Sequence, residues 1–199
     1  MLDRSIPYYN IILKCNSYHP SKTMLPKGYY FRNYTEGDEN AWARLEYEIG
    51  DFSSIDEARK YFIDTYCEHL SELKKRCIFA VNDNNKIIGS CIAWKDKKDG
   101  QTVSSLHWLV VSPHYQGKKI GTTLCCKTME LFNKLNEFPV YIHTQPWSYK
   151  AIFLYIHQGF LLQITDTFAN YDNQYLLAMK TLKNILSKQQ YTELVTYSE

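Results

Sequence analysis

The residues best spaced for chemistry run from Gln116 to Thr122, QGKKIGT, between an apolar stretch and a helical one. Upstream, LHWLVV alternates as a strand does, and Pro113 ends it; downstream, Leu124, Thr128, Leu131 and Leu135 share one helical face. A strand, loop and helix in that order bring backbone N–H groups and the positive end of a helix dipole to one point, which suits a phosphate. A Walker A loop is excluded, because only three residues lie between Gly117 and Gly121, where that loop needs four, and Thr122 follows directly. The dinucleotide pattern G-x-G-x-x-G is also missing.

Several elements must position this loop. Tyr29 to Tyr34 reads as a strand, and Thr35, Asp38 and Glu39 open a helix through AWARLEYEIG that Gly50 ends. A second helix is expected from about Ile55 to Lys74, with Ala58, Phe62, Tyr66 and Leu70 on its stripe. Arg76 to Val81 and Lys86 to Trp94 are strands around the turn NDNN, and the lysine-rich DKKDGQ reads as a solvated loop before the strand Val103 to Val111. Val140 to Thr144 is a strand, followed by a helix from Ser148 to Gly159. Phe160 to Phe168 and Gln174 to Thr181 read as closing strands, with a short helix near Lys183 to Gln190. Residues 5 to 15 form an added strand or arm, with Pro7 favouring its start or a sheet edge. The pattern predicts an α/β (mixed α+β) fold, with a mixed sheet of about seven strands and helices on both faces.

Composition narrows the function classes. A chain of 199 residues with 45% apolar content fits one sizeable core. Its net charge of +2 carries no basic stripe, so nucleic acid is not an implied partner. The apolar runs are too short to span a bilayer and MLDRSIPYYN lacks a signal-peptide core, so no membrane partner and a cytoplasmic location are expected. The six cysteines show no C-x-x-C spacing and read as reduced core residues, and the histidines lack ligand spacing, so no metal is predicted.

The loop resembles that of the GNAT N-acetyltransferase superfamily, in which Gln or Arg, two residues, Gly, one residue, and Gly or Ala follow a V-x-P strand end. Val111, Ser112, Pro113, Gln116 and Gly121 match, whereas Lys119 stands where the first signature glycine is usual. A second block, WSYKAIFLYIHQGF, is similar to the superfamily's N-x-x-A-x-x-L-Y-x-x-x-G-F, with Ser148 in place of Asn. Together with LPKGYYFRNYTEGDENAWARLE and KRCIFAV, the likeness covers nearly the whole chain and looks like a bacterial GNAT subgroup.

The resemblance implies an N-terminal arm over residues 1–27 and an acyl-CoA N-acyltransferase domain over 28–199. It implies transfer of an acetyl group from acetyl-CoA to a small-molecule or peptide amine within a ternary complex. The cofactor set would be Leu109, Val110 and Val111 for pantetheine, the amides from Gln116, Gly117, Lys118, Lys119, Ile120, Gly121 and Thr122 for pyrophosphate, and Ser148 and Tyr155 near the thioester. Tyr155 corresponds to the tyrosine that protonates the leaving thiolate. His107 is the expected base, since an alkyl ammonium must lose a proton before it attacks, and strand period places Ser105, His107, Leu109 and Val111 on one face. Glu48 and Asp51 are candidates for binding a cationic amine, with Phe52, Tyr66, Trp94, Trp108 and Trp147 as walls. Lys119 and Ser148 also leave open a non-catalytic acyl-CoA-binding or regulatory protein. The arm's capacity for edge pairing allows a homodimer.

Overall fold

The structure, a computed structural model, describes residues 3–199. Seven strands form a mixed sheet in the order β2-β3-β4-β5-β6-β1-β7. The chain divides into two compact units, and β4 (Ile87–Lys98) and β5 (Gln101–Val111) contribute residues to both.

The first unit holds residues 22–93 and 107–131. Its strands β2 (Tyr29–Asn33) and β3 (Cys77–Asn82) pair antiparallel, and β3 pairs antiparallel with β4 through Cys77↔Ile92. Helix α1 (Glu39–Ile49) is entered through Asp38, which accepts two bonds from Arg32 at 2.6 and 2.7 Å. Gly50 closes the helix in the left-handed region at φ 91°, where a side chain would be strained. Ser54 caps α2 (Ile55–Tyr66) by accepting from the Glu57 amide at 3.1 Å.

The expected single helix to Lys74 is interrupted: a 3-10 turn at Cys67–His69 separates α2 from α3 (Leu70–Arg76). The turn rotates the apolar stripe, so that Leu73 rather than Leu70 follows Ala58, Phe62 and Tyr66 into the core. Helix α4 (Ile120–Lys134) buries Leu124 and Thr128 as expected, but Leu135 lies beyond its end and is exposed.

The second unit holds residues 3–21, 94–106 and 132–199. Here β1 (Ile11–Cys15) lies between β6 (Val140–Thr144) and β7 (Leu161–Leu162), antiparallel to both, rather than along an edge. Its IILKC sequence, with Ile11, Ile12, Leu13 and Cys15 all buried, is that of an interior strand. The turn expected within DKKDGQ is a tight hairpin, with Asp96, Lys97 and Lys98 still on β4 and Gln101 already on β5. Asp99 (φ 51°) and Gly100 (φ 78°) form its two-residue turn, both left-handed as the twist of paired strands demands.

Helix α5 (Tyr149–Ile156) begins after Ser148 as expected. The segment expected as a final strand is helix α6 (Tyr175–Ile185), which buries Ala178, Met179 and Leu182. That spacing is helical, and strong helix formers fill the segment. Ser187 then opens α7 (Lys188–Thr196) with a capping box to Gln190. Among the described residues no helix is long and apolar enough to cross a membrane.

Candidate active site

Within β5 the strand geometry breaks at Trp108, whose φ of 49° is left-handed and costs a non-glycine residue on the order of 1–2 kcal/mol. The conformation is held by packing. The Trp108 ring meets Trp42 edge-on at 5.6 Å, Phe52 at 5.4 Å and Tyr61 at 5.3 Å, while Ser90 Oγ donates to the Trp108 carbonyl at 3.3 Å.

The break corrects the expected alternation. His107 and Trp108 are consecutive, yet both reach the α1/α2 side, His107 to Tyr66 and Trp108 to the ring cluster. Val111 instead lies near Gly89, beside Leu124 of α4, so His107 and Val111 do not share a face. A left-handed residue inside a strand offsets the two-residue repeat. Among the described residues, the parallel register of β5 with β6 comprises Ser104↔Val140 and Ser105↔Tyr141, ahead of the break.

His107 Nδ1 is 2.8 Å from the Tyr66 hydroxyl, and Tyr66 is fully buried. This contact fixes the imidazole plane, and the tautomer follows the direction of the bond. A lone pair at Nε2 requires Nδ1–H to donate to the tyrosine oxygen.

The loop after β5 is exposed from Gln116 through Lys119. Gln116 Nε2 donates to the Val111 carbonyl at 2.9 Å and Ser112 N donates to the Ile88 carbonyl at 2.9 Å, tying both ends of the turn to the sheet. Lys119 adopts φ 62° and its carbonyl accepts from Thr123 N at 3.0 Å and Thr123 Oγ1 at 2.9 Å, so it caps α4. The lysine thus holds the left-handed position for which glycine is suited, at a cost of about 1 kcal/mol.

The first-turn amides of α4 have no acceptor within the helix. No acid occupies that turn, and a Cβ on Gly117 would meet nothing within 4 Å. These features suit an anion approached by main chain. Lys118 Nζ bonds the Tyr29 hydroxyl at 3.0 Å and lies 5.4 Å from the Tyr115 ring centroid.

Among the candidate acceptor residues, Glu48 is exposed and receives the Ser112 hydroxyl at 3.0 Å, so it braces the end of β5. Phe52 and Trp108 lie together in the aromatic cluster with Trp42 and Tyr61. Two of its members, Trp42 and Tyr61, were not expected from sequence. Nor was Glu46, which is completely buried on α1 with neither carboxylate oxygen hydrogen-bonded. Burial, with the Asp51 charge nearby, pushes its pKa well above the usual carboxylate range. The spacing of Trp42, Leu45, Glu46 and Ile49 on one helical stripe carried that signal.

The other expected residues belong to the second unit. Ser148 precedes α5 and its Oγ accepts from Gln145 Nε2 at 2.9 Å. Tyr155 is 6% exposed and packs on Phe160 at 5.9 Å. Trp147 lies under the Arg4 guanidinium at 4.3 Å and beside Tyr8 at 5.1 Å.

His143, which sequence reasoning left aside, donates through Nε2 to Asn10 Oδ1 at 2.9 Å and stacks on Tyr171 at 3.5 Å. Because an amide oxygen only accepts, Nε2 carries the hydrogen. Desolvation lowers the His143 pKa to about 4, which keeps the ring neutral. Among the described residues no group of three His, Cys, Asp or Glu side chains is placed to hold a metal ion.

No curated protein matches the chain. A GNAT-family structure from Sphaerobacter thermophilus superposes with a TM-score of 0.60 at 18% identity, covering 78% of this chain and 50% of that one. An acetyltransferase from Colwellia psychrerythraea gives 0.59 at 11% identity, covering 78% and 53%. Glucosamine-6-phosphate N-acetyltransferase from Arabidopsis thaliana gives 0.51 at 13% identity, covering 74% and 98%. The chain therefore spans about half the length of the first two, and identities this low carry the fold alone. The family profile described as Acetyltransferase (GNAT) family matches residues 39–160, from the start of α1 to the end of the Tyr155–Phe160 block, and the chain belongs to that family.

Proposed function

We propose that this protein transfers an acetyl group from acetyl-CoA to a primary amine by direct attack. The observation that carries the reading is the loop at the end of β5: an exposed turn with left-handed Gly117 and Lys119, opening a 15-residue helix with no acid in its first turn. Its donors fit a diphosphate, with main-chain N–H groups from Gly117 to Thr122 and the charges of Lys118 and Lys119. The backbone of Leu109, Val110 and Val111, beyond the parallel ladder, would hold the pantetheine arm.

Acetyl-CoA supplies a thioester whose carbonyl carbon accepts the amine nitrogen while the carbon–sulfur bond breaks. At neutral pH the amine arrives protonated, and losing that proton costs about 4.6 kcal/mol for a pKa near 10.4. His107 takes the proton at Nε2, with Nδ1–H donated to Tyr66. Tyr155 gives its phenolic proton to the departing sulfur. Ser148 orients the thioester, and Phe52 and Trp108 shield the amine from water.

The test is release of free CoA from acetyl-CoA in the presence of a panel of primary amines, alongside thermal unfolding. Bound acetyl-CoA at about 100 times its dissociation constant adds roughly 2.7 kcal/mol, raising the midpoint by about 5–10 °C. Turnover with that shift supports transfer. The shift without turnover on any amine supports the non-catalytic acyl-CoA binder, and no shift in millimolar ligand rejects both.

A further inference from the structure

The buried face of α1 carries a carboxyl group that has no hydrogen-bond partner among the described residues. Glu46 is 0% exposed, and both of its carboxylate oxygens lack a hydrogen-bond partner. One helical turn earlier on the same face, Trp42 is also 0% exposed, and its indole N–H likewise has no acceptor. Two orphaned polar groups, neighbours on a buried stripe, are a large anomaly where nearly all buried polar atoms are paired.

The setting favours positive charge. Glu46 lies in the last turn of α1, where the helix dipole is negative, and its main-chain carbonyl already accepts from Gly50 and Asp51 at 3.2 and 3.0 Å. The Asp51 charge adds to the same field. Among the described residues no lysine or arginine hydrogen-bonds either Glu46 oxygen.

Around Trp42 stand Phe52 at 6.1 Å, Tyr61 at 6.4 Å in a near-parallel stack, and Trp108 at 5.6 Å. Phe52, Tyr61 and Trp108 are all partly exposed, whereas Trp42 and Glu46 beneath them on α1 are fully buried. Aromatic faces attract cations, and more strongly where water is excluded.

We infer that Glu46 is the recognition group for the amine acceptor, and that the acceptor is a primary ammonium on an aromatic or apolar body bearing no anionic group. The inference rests on the acetyl-transfer reading and names its substrate class. The ammonium donates to the Glu46 carboxylate, and the apolar body lies against Phe52, Tyr61 and Trp108. A carboxylate or phosphate on the acceptor would enter the field of Glu46 and Asp51 and be repelled, so amino acids and phosphorylated amino sugars are poor acceptors.

The test is fluorescence titration of the full chain with 2-phenylethylammonium, with acetyl-CoA absent, using Trp42 and Trp108 as reporters. Saturable binding is expected, with phenylalanine, which adds a carboxylate, at least tenfold weaker. Glu46→Gln should weaken the probe at least tenfold while leaving acetyl-CoA binding unchanged. Should Glu46→Gln not fold, Glu46→Leu places an apolar group in the buried site, and the same loss is expected of it. No saturable binding, equal binding of phenylalanine, or undiminished binding by the folded Glu46 variant each overturns the inference. Because the titration omits acetyl-CoA, intact probe binding without turnover counts against the transfer reading alone. Turnover that is indifferent to Glu46 and to acceptor charge counts against this inference alone.

Discussion

Removing one oxygen atom tests how His107 is held. In Tyr66→Phe the ring remains fully buried among Phe62, Tyr61 and His107, and only the hydroxyl 2.8 Å from Nδ1 is lost. A hydrogen bond of this kind contributes about 0.5–1.5 kcal/mol. Its loss in the transition state lowers the rate by about 2- to 13-fold, at 1.36 kcal/mol per factor of ten. If His107 is the base, as proposed, His107→Ala should cost about 10²- to 10⁴-fold. Since Tyr66 acts through His107, the two losses must not add: the double variant should match His107→Ala within about threefold. The assay is kcat/KM for the amine by CoA release, with acetyl-CoA affinity and the unfolding midpoint measured in parallel. A double variant whose loss is the product of the single losses refutes the reasoning, as does a Tyr66→Phe enzyme with full activity.

Three further outcomes follow from the backbone and from burial. A Cβ at Gly89 would sit 2.8 Å from the Val110 carbonyl oxygen and 3.0 Å from Leu124 Cδ1, so Gly89→Ala should destabilise by about 1–3 kcal/mol. Calorimetry would read this as a midpoint lowered by about 2–12 °C, and an unchanged midpoint contradicts the close approach. At position 119, where φ is 62°, the Gly variant should be more stable than the Ala variant by about 1 kcal/mol in denaturant titration. Equal stabilities would mean the loop is not left-handed there. His143, neutral because its folded pKa is about 4 against 6.5 ordinarily, takes up its proton in the unfolded chain first. Stability should therefore fall as pH drops from 6.5 towards 4, by on the order of 3 kcal/mol, and His143→Gln should flatten that slope.

Much of the fold was legible because its signals are local. Alternating runs, the NDNN turn, Gly50 and Gly159 fixed most strands and helices within a few residues. The errors have physical causes. Tyr175 to Ile185 mixes apolar residues densely enough to pass for a strand, and its helical spacing shows only in which residues are buried. The place of β1 inside the sheet depends on long-range pairing with residues 140–144 and 161–162, which no local pattern encodes.

The site was legible at the loop, where glycine spacing and strand end coincide, and Lys119 was already marked as the unusual position. It was not legible at Trp108, because a left-handed residue within a strand leaves no compositional trace when a tryptophan supplies it. Glu46 shows a different limit: it is buried with Trp42, Leu45 and Ile49 on α1, but a glutamate in a helix is read as solvated by default.

The proposed acetyl transfer to an amine is tested most directly by a paired product assay. The protein is incubated with acetyl-CoA and 2-phenylethylamine, and N-acetylated amine and free CoA are quantified together by mass spectrometry. The two products should accumulate in equal amounts, at a rate that collapses in His107→Ala while acetyl-CoA still binds. Acetyl-CoA bound but unconsumed, with this amine and with every other primary amine tried, would contradict it.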